Sequence, residues 1–149
     1  MRVLNGLDEL KASVGEHLGY SDWLEIDQER INLFADATGD HQWIHVDPER
    51  AADGPFGSTI AHGFLTLSLV SMLVWQVYTV EGTTMGVNYG TNKVRFPAPL
   101  PVDSRIRAGV DILSVEPGGG HQVVTQVTIE REGGDRPVCV AEVVSVLRF

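Results

Sequence analysis

The apolar positions of the chain change period near Gly82. Before it they recur mostly at three- and four-residue steps, and after it they alternate with polar ones, so a largely helical half precedes a sheet. Val3, Leu4, Leu7 and Leu10 predict a short amphipathic helix over residues 3–12, and the looser alternation of 18–26 predicts a first strand. Asp27 suits the N-cap of a helix over 28–38, with Glu29 against the N-terminal dipole and Ile31, Phe34 and Ala35 on one apolar face; Gly39 suits its stop. Asp47-Pro48 joins a cap to a proline at the first helical position and predicts a second short helix over 48–52. Residues 60–78, with Phe64, Leu65, Leu67, Leu69, Val70, Met72, Leu73, Val74 and Val77, are apolar nearly all round and predict a long helix enclosed by other structure. Strands follow over 85–96, 104–116, 121–130 and 137–147, separated by FPAPLPVD, PGGG and EGGD. The sum is an α+β architecture, an antiparallel sheet wrapped about a central apolar helix.

Composition narrows the functions such a layer can serve. The 149 residues read as one domain spanning 1–149, with no internal repeat or Pro/Gly/Ser linker. A formal charge of −9 argues against nucleic acid, whose phosphates need a basic face. The single cysteine, Cys139, rules out an intrachain disulfide framework and reads as a small buried hydrophobe. Residues 1–16 lack the basic start, apolar core and small-residue cleavage site of a secretory leader, so the expected location is cytoplasmic. The most apolar stretch, 64–80, carries Thr66, Ser68, Ser71, Gln76 and Thr79 and falls short of the roughly 20 apolar residues of a membrane span.

Candidate chemistry concentrates in TGDHQWIHVDPERAADGPFGSTIAHG, between the two principal helices. Asp40 follows the helix-stopping glycine and His45 precedes the Asp47 cap, so an acid and a base are clamped on a short irregular loop. Read alone, the pair leaves two readings open: general acid and base on one reactant, or an exposed carboxylate beside a histidine satisfied by backbone. His41 and His45 share a metal-like spacing, but Gly39 and Pro48 deny them the regular helix that a zinc pair uses, so no metal is expected. His62 reads as a helix-entry residue, and His17 and His121 as exposed. Lys93, Arg95, Arg105 and Arg107 form the one concentrated basic group, either a solvated strand face or a contact for an anion.

The run TGDHQWIHVDPERA resembles the hydratase 2 motif of the MaoC-like dehydratases, which include R-specific enoyl-CoA hydratases built on the hot-dog fold. The resemblance extends through His62-Gly63 to the strand order, and NYGTNKVRFPAPLPVDSRI is similar to the nodulation protein N subgroup. It departs from the family at Gln42-Trp43, where the usual pair is Asn-Pro. The resemblance implies reversible hydration of trans-2-enoyl thioesters to R-3-hydroxyacyl products, with Asp40 and His45 as the acid/base pair. It implies the Gly63 amide as donor to the thioester oxyanion, Ser71 as a support for the pair, Gln42 as a retained amide and Trp43 as an acyl-contacting wall. It further implies a homodimer, coenzyme A or acyl carrier protein as substrate carrier, and no metal, flavin or nicotinamide cofactor. Lys93, Arg95, Arg105 and Arg107 would then meet carrier phosphates or an acidic carrier surface. Alternatives on the same fold are a 3-hydroxyacyl-ACP dehydratase, a thioesterase, and a non-catalytic acyl-thioester binder.

Overall fold

The computed structural model describes residues 1–149. The predicted first helix is shared between two elements: Arg2–Leu4 is a strand, β1, and Gly6–Ala12 the helix α1. The predicted first strand is also divided, into β2 (His17–Tyr20) and β3 (Leu24–Ile26), both antiparallel to the same long strand. Helix α2 (Gln28–Thr38) follows the sequence closely: the Asp27 carboxylate accepts from the Arg30 N–H at 2.9 Å, Ile31 and Ala35 are buried, and Gly39 ends it at φ 80°, a left-handed conformation that glycine adopts without steric cost. After a four-residue turn α3 (Trp43–Val46), Asp47 caps α4 (Pro48–Ala52), accepting from the Arg50 N–H at 3.0 Å.

The central helix is shorter and more exposed than its composition predicts. It runs as α5 (Gly63–Ser68) and α6 (Val70–Val77), with a slackened turn at Leu69 and the Ser68 hydroxyl bonded back to Phe64 O at 2.6 Å. Its start is delayed because Ile60 and Ala61 are already paired: Ile60 bridges Pro101, and the Ala61 N–H donates to Leu100 O at 2.8 Å. Its end comes early because β4 (Tyr78–Val80) pairs in parallel with β1. Leu65, Leu69, Val70, Leu73 and Val77 face the sheet, whereas Phe64 and Trp75, 68% and 72% exposed, face outward, so enclosure on all sides is not observed.

The sheet is formed by β5 (Met85–Arg95), β6 (Ser104–Pro117), β7 (His121–Arg131) and β8 (Cys139–Arg148), antiparallel in the order β6-β7-β8-β5, with β2 and β3 on the free edge of β6. It curves around the central helix in the hot-dog arrangement. Ile106, Ala108, Val110 and Ile112 of β6 are fully buried against the helix, on the face opposite Arg105 and Arg107, as their alternation predicts. Cys139 is buried too, and burial pushes its thiol up to about 11. Strand β5 differs from the others: it pairs only with β8, and Met85 through Lys93 are exposed on both faces. No helix is long and apolar enough to cross a membrane.

Candidate active site

Asp40 and His45 meet where α2 ends and α5 begins. His45 lies on the helical turn α3, not on irregular backbone, and is buried. Its Nδ1 lies 2.6 Å from Ile60 O; a carbonyl only accepts, so Nδ1 carries the proton and Nε2 is left with its lone pair. Burial pushes the His45 pKa down, outweighing the Ile60 bond and the Asp40 charge, which act the other way. The imidazole is thus kept neutral, with the Nε2 lone pair free to accept a proton.

The turn is held from behind by Gln28, in the first turn of α2. Its amide donates to His45 O at 2.8 Å, and its carbonyl accepts from the buried Thr59 hydroxyl at 2.6 Å. The Ile60 N–H in turn donates to Ile44 O at 2.9 Å. The strip 59–61 is therefore tied to α2, to α3 and to the Leu100–Pro101 segment, which fixes the carbonyl that sets the His45 tautomer. Asp40 is exposed, its carboxylate accepting from the Gln42 N–H at 3.3 Å, while its own carbonyl accepts from His62 Nε2 at 3.0 Å. The carboxylate oxygens of Asp40 and the ring nitrogens of His45 and His62 place one ligand atom each within 4.8 Å of one another.

His62 is more than an entry residue. Its ring stacks on His45 at 3.9 Å with 21° between planes, Phe34 covers it at 4.9 Å, and its Nδ1 is buried without a partner. A histidine immediately before the helix glycine was its only sequence signal. Gly63 is the first residue of α5, so its N–H has no partner within the helix. A Cβ there would lie 3.0 Å from the Phe96 ring.

Other expected site residues fall elsewhere. Ser71 lies about 12 Å along the helix from Gly63. Its hydroxyl accepts from Asn88 Nδ2 at 3.1 Å and does not touch the acid/base pair. Ser71 instead lines a cavity of about 360 Å³ between α6 and the inner faces of β5, β7 and β8, which an adjoining pocket extends toward Leu67. Gln42 precedes α3 without a side-chain capping bond. Trp43 does not line this cavity; its ring packs under the Arg50 guanidinium at 4.3 Å and against Gly54. The basic residues do not form one patch. Arg105 and Arg107 lie on β6, three strand steps or about 14 Å from β5, and are paired with Glu132 at 3.1 Å and Glu130 at 2.6 Å. Lys93 and Arg95 stand exposed on β5 without an acidic partner.

A family model of the MaoC like domain matches residues 9–133. The chain is 56% identical over 151 aligned positions to the 3-hydroxyacyl-thioester dehydratase Z of Mycobacterium tuberculosis (strain CDC 1551 / Oshkosh), covering 100% of this chain and 99% of that protein. It is 44% identical to nodulation protein N of Rhizobium leguminosarum bv. viciae, covering 96% of this chain and 91% of that one. Among solved structures, the (R)-hydratase from A. caviae involved in PHA biosynthesis superposes with a TM-score of 0.75 at 25% identity, over 90% of this chain and 96% of that chain. With its central helix, strands β2 to β7 and the Asp40–His45 turn inside the matched span, the chain belongs to the MaoC-like domain family.

Proposed function

We propose that this protein is a hydro-lyase that reversibly adds water to 2-enoyl thioesters, giving R-3-hydroxyacyl thioesters, with Asp40 and His45 as the acid/base pair. The observation that carries the reading is the fixed His45 tautomer, a neutral imidazole with a free Nε2, on a ring that has a nitrogen within 4.8 Å of the Asp40 carboxylate beside the start of the central helix. Names among its relatives, a 3-hydroxyacyl-thioester dehydratase at 56% identity and an (R)-hydratase at 25%, support the same reaction class.

The chemistry follows from that geometry. Water bound between the two groups loses a proton to His45 Nε2 as its oxygen bonds C3, and the C2=C3 electron pair moves toward the thioester carbonyl. The Gly63 N–H, with the positive end of the helix behind it, stabilises the enolate oxygen. The imidazolium hands that proton to the Asp40 carboxylate, which delivers it to C2, so the two groups divide the transfer, hydration consumes no net proton and dehydration is the same path reversed. The acyl chain extends along the helix into the cavity lined by Val74, Val87 and Val143. Lys93 and Arg95, rather than the paired Arg105 and Arg107, meet the anionic carrier. No cofactor is required to add water to an alkene already activated by its thioester.

The functional unit is a homodimer. Val87 and Tyr89 on the open edge of β5, with Phe64 and Trp75 beside it on the helix, form an exposed apolar surface that a second copy would cover.

The test is loss of enoyl absorbance from crotonyl-CoA and a longer enoyl-CoA, with chiral analysis of the product. Asp40→Asn and His45→Gln should each lose at least about a hundredfold in kcat/KM, as removal of a general acid or base does. Release of free thiol would revive the thioesterase reading, and binding of both CoA and carrier-protein thioesters without turnover would leave an acyl-thioester binder.

A further inference from the structure

One side chain touches both members of the acid/base pair. His62 is 3% exposed, with its ring stacked on His45 at 3.9 Å and 21° between planes, and Phe34 covering it at 4.9 Å. Its Nε2 lies 3.0 Å from Asp40 O; a carbonyl only accepts, so Nε2–H is the donor. Asp40 has need of that hold. It follows Gly39 on an exposed loop, and its carboxylate keeps only a 3.3 Å bond to the amide two residues on, whereas His45 is already fixed by Ile60 and Gln28. The Asp40 carboxylate lies within 4.8 Å of a His45 ring nitrogen, so a proton handed from base to acid crosses at most the gap that one water spans. Displacement by about 1 Å is enough to impair such a transfer.

We propose that His62 is the positioning residue of this site: stacked on the ring of the base and bonded to the backbone of the acid, it fixes the separation across which His45 passes the proton to Asp40. The inference rests on the acid/base reading above and assigns His62 no contact with substrate. The residue type follows from the two contacts. Phenylalanine would stack on His45 but has no donor for Asp40 O, and glutamine would reach that carbonyl but has no ring face; histidine supplies both. Its place in the chain gives it a rigid footing. Residues 60–63 form one strip in which Ile60 O sets the His45 tautomer, His62 spans the pair and Gly63 opens α5. That strip is pinned by the Ala61 N–H to Leu100 O at 2.8 Å and the Ile60 N–H to Ile44 O at 2.9 Å. His41, although adjacent to Asp40 in the chain, does not share the role, because its exposed ring is bonded to Asp36 at 2.9 Å.

The experiment separates the two contacts with His62→Phe, which keeps the stack and loses the donor, and His62→Gln, which keeps the donor and loses the stack. On crotonyl-CoA each should lower kcat at least about tenfold with KM little changed, the pattern of a group that serves the transition state and not substrate binding. In an Asp40→Asn background His62→Phe should cost nothing further, because the carboxylate it positions is already gone. Nuclear magnetic resonance reads the same contacts without turnover: the Asp40 carbonyl carbon should shift in His62→Phe and hold in His62→Gln, and the upfield ring-current shift of the His45 ring protons should persist in His62→Phe and vanish in His62→Gln. A wild type that binds crotonyl-CoA without turnover would sink the hydratase reading and leave these resonances to decide the contacts. An unchanged kcat in either variant, a loss from His62→Phe that simply multiplies that of Asp40→Asn, or resonances that do not follow this pattern would overturn the proposal. Circular dichroism establishes that the variants are folded; His62→Gln, through kcat and the ring-current shift, carries the test if His62→Phe is not.

Discussion

Replacing Gln28 tests whether the His45 turn is held from behind as described. Gln28→Leu keeps the approximate volume but removes the donor to His45 O and the acceptor for the Thr59 hydroxyl, which is 1% exposed. One net hydrogen bond is worth about 0.5–1.5 kcal/mol and a buried hydroxyl left unsatisfied costs about 1–3 kcal/mol, so the single change should destabilise by about 2–4 kcal/mol. Thr59→Val alone strands the Gln28 carbonyl, but Gln28 is half-buried and can turn toward water, so its cost should be smaller, about 1 kcal/mol. The double variant removes both ends of the 2.6 Å bond and should recover about 1–2 kcal/mol relative to additivity. Urea unfolding of the four proteins at one fixed concentration, analysed with a common m-value, gives the cycle. The same proteins should show kcat/KM falling with Gln28→Leu, because the turn bearing the base loses its tether. A cycle with no coupling, or a Gln28→Leu cost below about 0.5 kcal/mol, refutes the idea that this amide organises the site.

Further predictions follow from the same geometry. Because the His45 pKa is lowered in the fold, the unfolded state binds the proton more readily; its contribution to stability is complete above the ordinary value of about 6.5 and is lost as pH falls through the lower folded-state value, so His45→Gln should flatten the acid limb of a thermal-unfolding series. The acid limb of kcat/KM should likewise lie below about pH 6.5. Lys93→Ala with Arg95→Ala should raise KM for a CoA thioester and reduce its salt dependence, whereas Arg105→Ala should change neither, since that cation is already paired with Glu132. Tyr89→Asp on the open strand should shift sedimentation equilibrium from dimer to monomer, an outcome that an unchanged mass would contradict. Leu73→Ala, at a fully buried helix position, should cost about 2–5 kcal/mol by urea unfolding.

Local chemistry made much of this structure legible. Asp27, Gly39 and Asp47-Pro48 mark their helix ends because caps act within a few residues, and the four long strands declare themselves by alternation. Features set by distant segments were hidden. Nothing in residues 2–4 announces that they pair with residues 78–80, and nothing near Ile60 announces that Pro101 will delay the helix. The basic group looked compact because Lys93 and Arg107 are near in sequence, whereas strand order separates them. At the site, spacing located Asp40 and His45, but their motif resembles a known one, and without it their proximity was undetermined. Gln28 carried no local signal and His62 only its place before the helix glycine: one acts through a backbone carbonyl 17 residues away, the other through a ring stack across the chain reversal.

The parallel pairing of β1 with β4 links two parts of the molecule that share no chemistry. Tyr78, Thr79 and Val80 line part of the cavity, and their backbone is held in place by pairing with Arg2, Val3 and Leu4. If the cavity takes the acyl chain as proposed, its depth is adjustable from residues 2–4, with the helix and the proton-transfer groups left untouched. Two proteins with identical residues around Asp40 and His45 would then differ in the longest substrate they admit through residues 2–4 alone, and a substitution that disturbs that pairing would alter chain-length preference before it altered the rate on crotonyl-CoA.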